Sequence, residues 1–312
     1  MQRRDFITSS LGAGAAALTA FSGSHAQSQE AAATAAAGST SPKFKLKYGP
    51  HFGMFRNHAG KDPIDQLKFA ADQGFHAWED NGMMRKPPEL QTKIGETMQQ
   101  LGMTMGVFVS MGIGGPDFVT KTDKGYQDNL RKSMAKAVET AKRVNAKWTT
   151  VVPGKVNQRL EDEYMMANCV KNLKVMSEVC EPAGLTMVLE PLNWWANHPG
   201  LYLVRIPQAY MICKAVDSPS CKILDDLYHQ QISEGNLIPN MEKAWDEIAY
   251  IQVGDNPGRK EPTTGEINYR NIFQWLHKKG YQGVIGMEHG NSQKGKEGEE
   301  KLIAAYRQCD DF

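Results

Sequence analysis

Cysteine is scarce and scattered, with five residues at 169, 180, 213, 221 and 309 and no C-x-x-C pair. That spacing argues against a thiolate zinc site and against a disulfide framework. A surplus of either charge is also missing. The 36 basic and 35 acidic side chains leave a net charge of +1, so no basic face advertises nucleic acid and no acidic tail a basic partner. No transmembrane segment is indicated: the apolar run from Leu11 to Phe21 holds about eleven residues, against the roughly 20 needed to span a bilayer. A Gly-rich phosphate turn after a first strand is absent too. Gly112-Ile113-Gly114-Gly115 follows the third candidate strand and lacks Rossmann or P-loop spacing, so it reads as a mobile loop.

What remains is a chain of 312 residues with 41% apolar content, enough for a substantial core in one large domain or two small ones. Its first 26 residues read as a secretory signal: Arg3-Arg4, then an Ala- and Gly-rich apolar run, then the small residues of Ser24-His25-Ala26. The paired arginines point to the twin-arginine route and hence to a periplasmic or otherwise exported protein. Removing residues 1–26 leaves 34 basic and 34 acidic side chains. Residues 27–42, biased to Ala, Ser and Thr, are expected to form a flexible leader.

From residue 43 to 312 the pattern alternates between short β-rich runs and longer runs with apolar residues three or four apart. Strands are expected at Phe44–Tyr48, Phe75–Glu79, Thr104–Val109, Trp148–Val152, Thr186–Glu190, Lys222–Asp226, Ile248–Gln252 and Val284–Glu288. Between them lie helical stripes such as Leu130, Met134, Val138, Ala141 and Val144, or Met165, Cys169, Leu173, Met176 and Cys180, whose Met and Cys residues read as core. Gly74, Gly184 and Gly280 sit where a helix ends before a strand. Eight βα units in about 270 residues favour a single (β/α)8 TIM barrel over an open sheet.

Strands five to eight of this barrel end in Glu190, Asp226, Gln252 and Glu288. The C-terminal ends of consecutive strands surround one mouth. Three carboxylates converging there repel one another unless a cation lies between them. Oxygen donors without thiolate favour a hard divalent ion, Mg²⁺ or Mn²⁺. The loop after Ile251, through Asn256-Pro257-Gly258 to Tyr269, adds Asp255, Arg259, Glu261 and Glu266 beside that mouth.

The stretches LEPLN, DDLYHQQISEGNL, IQVGDNPGRKEPTTGEINY and GYQGVIGMEHG, covering roughly residues 186–290, together resemble hydroxypyruvate isomerases of the xylose-isomerase-like barrels. The first four strands match in outline, through GFHAWED. The resemblance implies Glu190, Asp226, Gln252 and Glu288 as metal ligands, with Glu190 and Glu288 doubling as acid–base catalysts. It implies that His229 and Arg259 bind substrate oxygens. Glu79 and His51, at the first two strand ends, are weaker contact candidates, and Trp194 beside Trp195 offers a stacking surface for a sugar ring. The implied reaction is isomerisation of a sugar or keto acid by proton transfer through an enediolate held by the metal.

Lys260 stands where that family usually has His, and Met287-Glu288-His289 replaces its usual Glu-Tyr ending. With the export signal, these departures favour a larger, extracytoplasmic sugar or keto-sugar as substrate. Three alternatives stay open: a metal-dependent lyase acting on 3-keto-glycosides, a non-catalytic periplasmic sugar-binding protein, and a zinc-dependent DNA-repair nuclease. The last is disfavoured by only eight His and no basic excess. Homo-oligomerisation is left open.

Overall fold

The computed structural model describes residues 41–312; the expected signal and most of the expected leader lie outside them. Nine parallel strands run through the described chain: β1 Lys47–Gly49, β2 Ala77–Trp78, β3 Thr104–Met105, β4 Val109–Met111, β5 Trp148–Val151, β6 Thr186–Leu189, β7 Cys221–Asp226, β8 Ile248–Val253 and β9 Val284–Met287. Seven of them form one sheet in the order β1-β9-β8-β7-β6-β5-β4, and β2 pairs with β3. The ring closes between β1 and β2 through a parallel bridge between His51 and Glu79, where the Glu79 amide donates to the Pro50 carbonyl at 2.9 Å. The result is a TIM barrel, as the alternation implied.

The expected third strand, Thr104–Val109, is in fact two. Its first half pairs with β2 and its second half with β5, with the change of partner at Gly106 to Phe108. Gly106 donates to the Trp78 carbonyl at 2.7 Å, and a Cβ there would stand 2.2 Å from the Tyr250 hydroxyl oxygen. The change of partner thus begins at a residue where the Tyr250 hydroxyl leaves no room for a side chain.

Side chains alternate along each stave. Ala77, Val107, Val188, Leu224, Tyr250 and Val284 come from six staves yet pack on one another, which only the barrel interior allows. Their neighbours Met187, Leu189, Ile223, Ile251 and Ile285 point outward into the main core shared with the helices. Two residues further along, the inner positions are Glu79, Glu190, Asp226, Gln252 and Gly286, and beyond Gly286 comes Glu288. Period two and an apolar plug below thus dictate a polar layer above.

The helical stripes are buried as read from the sequence: Leu130, Met134, Val138, Ala141 and Val144 in the helix Lys124–Val144, and Met165, Cys169, Leu173, Met176 and Cys180 in the helix Asp162–Cys180. The first of these helices is capped by Asp123, whose carboxylate accepts from the Tyr126 amide at 3.1 Å. Gly74, Gly184 and Gly280 all take the left-handed conformation that ends a helix. The last helix, Gly295–Asp310, ties the chain's end to its start, because Asp310 accepts from the Lys45 amide at 2.7 Å and from the Tyr48 hydroxyl at 2.9 Å.

Between that helix and the barrel sits an aromatic cluster. The Phe273 ring lies 4.9 Å from Tyr48, 5.4 Å from Tyr269 and 6.3 Å from Tyr306, fully buried. Phe273→Ala should cost about 3–5 kcal/mol, read as a lower urea midpoint at unchanged slope. A loss below about 1 kcal/mol would contradict the packing described.

Candidate metal and active site

Strand register sets the site. Asp226 pairs with Gln252, and Gln252 pairs with Gly286, so three neighbouring staves are level at the polar layer. Asp226 serves two elements at once. Its Oδ1 caps the helix Leu227–Ser233, accepting from the amides of Tyr228 at 2.9 Å and His229 at 3.4 Å. That leaves Oδ2 facing the barrel axis, where Arg259 Nη2 donates to it at 2.7 Å. The same nitrogen donates to Glu288 Oε2 at 3.0 Å, and Asn81 holds the other Glu288 oxygen at 3.0 Å. No hydrogen bond among the described residues restrains the Glu190 carboxylate, although the residue is 93% removed from solvent (7% exposed).

Burial pushes the Glu190 and Glu79 carboxyls well above the ordinary range, with the nearby Glu288 charge adding to it. Glu288 itself is pushed up to about 7 by burial, with Arg259 opposing. Burial works against the Arg259 charge, but Asp226 and Glu288 outweigh it and keep the guanidinium protonated. Asp226, Glu288 and Glu190 thus share Arg259 as their positive centre.

The loop from Gly254 to Tyr269 aims Arg259. Asp255, fully buried, accepts from the amides of Gly265 at 2.8 Å and Ile267 at 3.1 Å, folding the loop over itself. Tyr269 donates to the Gly254 carbonyl at 2.7 Å. Arg259 has φ +51°, the left-handed region that costs a non-glycine residue energy, and its guanidinium rests 4.9 Å over the Tyr228 ring. The surrounding bonds hold a strained backbone so that one side chain reaches inward.

Glu190, Asp226 and His229 offer potential ligand atoms all within 4.8 Å of one another. His229, however, is presented as a donor. Its Nδ1 accepts from the Asn193 amide at 3.3 Å and lies 2.6 Å from Asn193 Nδ2. Asn193 cannot be turned round, because its Oδ1 accepts from the amides of Ala196 at 2.9 Å and Asn197 at 3.3 Å. With Nδ1 accepting, the proton of the neutral ring sits on Nε2, 3.6 Å from Asp226 Oδ2 and otherwise unpartnered. Burial lowers His229 to about 4, so the ring stays neutral near pH 7. Its free N–H suits a substrate oxygen and not a cation.

Gln252 offers a further oxygen on the neighbouring stave. Its Nε2 donates to Glu79 Oε1 at 2.9 Å, and its Oε1 is buried with no partner among the described residues. A buried carbonyl oxygen without a donor, beside two or three carboxylates, fits a hard divalent ion. Glu190 and Asp226, whose ligand atoms come within 4.8 Å of each other, with the Gln252 oxygen on the stave beside Asp226, could hold Mg²⁺ or Mn²⁺, and Glu288 is linked to them through Arg259.

The mouth opens into a cavity of about 620 Å³ lined by Phe52, Asn81, Arg85, Lys86, Arg259 and Glu288 among others. His51 and Glu79 line it too, as expected from their strand ends. Trp194 does not, which corrects the stacking role expected for it. Its indole N–H donates to the Leu201 carbonyl at 2.7 Å, turning the ring into a separate hollow of about 220 Å³ with Tyr202 and Arg205. Trp195 stands 79% exposed. Sequence reading passed over Asn81 and Asn193, which restrain Glu288 and His229. Asn193 closes the LEPLN stretch and Asn81 follows GFHAWED, so adjacency to those stretches was the available signal.

Comparison with known proteins agrees with this fold. The family model described as "Xylose isomerase-like TIM barrel" matches residues 67–309. The chain belongs to the xylose isomerase-like TIM barrel family. Within that family it is similar to hydroxypyruvate isomerase from Escherichia coli (strain K12), 32% identical over 165 residues, 53% of this chain and 64% of that enzyme. A 2-oxo-tetronate isomerase from Pectobacterium atrosepticum is 27% identical over 237 residues, 75% of this chain and 89% of the relative. The E. coli match therefore spans just under two thirds of that enzyme's length. Among solved structures, an E. coli 3-keto-D-glucoside 4-epimerase superposes with a TM-score of 0.69 at 19% identity, covering 85% of this chain and all of that one. At that identity the likeness is one of fold.

Protons and a cation compete for the same carboxylate oxygens. With Glu288 at about 7, protonation below that value should oppose the ion. Affinity for Mn²⁺ should therefore rise with pH up to pH 7, by up to about tenfold per pH unit from this group, as titration calorimetry would read. An affinity unchanged across that range would contradict the assignment of Glu288 as a ligand.

Proposed function

We propose that this chain is a divalent-metal-dependent isomerase of a sugar or keto acid, like hydroxypyruvate isomerase, with Glu190 and Glu288 as the proton-transferring pair. The observation that carries this is the approach of Glu190 and Asp226 at one barrel mouth, with an unpartnered Gln252 oxygen on the stave level with Asp226 and with Glu288 joined to Asp226 through Arg259. A bound divalent ion supplies polarisation of a carbonyl and offsets the negative charge of an enediolate.

The chain's own groups then divide the work. Glu190, free of hydrogen bonds, can take or return a proton at carbon, and its raised affinity for protons brings it nearer the working pH. Glu288, held by Asn81 and Arg259, serves the neighbouring carbon. Arg259 and the His229 Nε2–H are donors for substrate oxygens, one fixed by the loop and the other by Asn193. Burial of Glu190, Asp226 and His229 keeps water from one side of the reacting carbons. Arg3-Arg4 and the apolar run after them support export by the twin-arginine route.

A cavity of about 620 Å³ is larger than a three-carbon keto acid fills, which favours a sugar-sized substrate. The same space admits a 3-keto-glycoside, from which the same proton loss would expel the glycosidic oxygen and make the protein a lyase. Product analysis separates the two outcomes.

An NMR screen of small ketoses, keto acids and keto-glycosides with Mn²⁺ in deuterated water tests the reading. The unmodified chain should exchange a carbon-bound hydrogen, and Glu190→Gln and Glu288→Gln should each lower the rate by about 10²-fold or more. Exchange that persists in Glu288→Gln would remove it from the acid–base pair. Tight sugar binding with no exchange would leave a binding protein in place of an enzyme.

A further inference from the structure

Glu79 is 1% exposed, and both its carboxylate oxygens are occupied. Oε1 accepts from Gln252 Nε2 at 2.9 Å and Oε2 from the Tyr250 hydroxyl at 2.9 Å. In this contact the Gln252 NH₂ is the donor and a Glu79 carboxyl oxygen the acceptor. The contact therefore selects which end of the Gln252 amide faces Glu79, namely the NH₂, and turns Oε1 away. That Oε1 is the buried atom with no partner among the described residues.

Two glycines on other staves make room for this chain of bonds. A Cβ on Gly286 would stand 1.9 Å from Glu79 Oε2, and one on Gly106 would stand 2.2 Å from the Tyr250 oxygen. Neither glycine has a positive φ, so clearance and not backbone freedom accounts for them. Four staves are thus shaped around a side chain whose two oxygens both point at protein groups.

We propose that Glu79 is a positioning residue: it orients Gln252 so that Oε1 faces the ion centre, and Tyr250 in turn fixes Glu79. This rests on the metal reading above. It adds to the substrate contact expected of Glu79 from its strand end, where the residue also lines the cavity. Partners of this kind, which hold a ligand without touching the metal, typically govern affinity by about 10- to 100-fold.

The test is a double-mutant cycle read as Mn²⁺ affinity by titration calorimetry on the full chain, with circular dichroism to confirm folding. Glu79→Leu should weaken Mn²⁺ by about 10- to 100-fold, and Tyr250→Phe, which keeps the ring, by about 3- to 10-fold. In a Gln252→Ala background each should cost less than about twofold more, because the residue they act through is gone. Should Glu79→Leu fail to fold, Tyr250→Phe completes the cycle alone. Equal losses in both backgrounds, or an unchanged affinity in folded single variants, would overturn the positioning role and leave the metal site standing. Absence of Mn²⁺ binding by the unmodified chain would sink the metal reading itself.

Discussion

Like charges held close together are the constraint on which the rest of this structure turns. Buried Glu190 and Asp226 stand with half-buried Glu288 at one end of a barrel whose inner layer below them is apolar, where burial of the first two strengthens repulsion. Such a cluster persists only with positive charge or protons among its members. Arg259 supplies part of that charge from a strained loop position, bonded to two of the three. A divalent cation is the other group that the donor set suits, and the unpartnered Gln252 oxygen stands ready to join it.

The scaffold can carry this load because the demands on it are separated by height. Below the polar layer, Ala77, Val188, Leu224, Tyr250 and Val284 fill the barrel and set its diameter. Outside it, the aromatic cluster of Tyr48, Phe273 and Tyr306 and the Asp310 clasp fix the closing helix. Stability is thus drawn from layers that do not touch the charges. Tyr250 belongs to both worlds, its ring in the plug and its hydroxyl on Glu79.

Much of this was legible in the sequence, and the reason is periodicity. Once Val188, Leu224 and Tyr250 must face inward, Glu190, Asp226 and Gln252 two residues later must do so as well. The barrel followed from the spacing of strands and helical stripes. Properties that depend on side-chain direction across staves were not legible. Nothing in the string says that Asn193 fixes the His229 tautomer, that Leu201 turns Trp194 away, or that Glu79 is occupied by Tyr250 and Gln252. The split of the third stave was hidden for the same reason, because Gly106 yields to a tyrosine far along the chain.

The most direct measurement is an anomalous diffraction map from crystals of the protein soaked in Mn²⁺. The account predicts one strong peak at the barrel mouth, within about 2.5 Å of oxygens from Glu190, Asp226, Gln252 and Glu288, with His229 outside the coordination shell. A peak ligated by the His229 ring with Gln252 turned away, or no peak at the mouth, would contradict it.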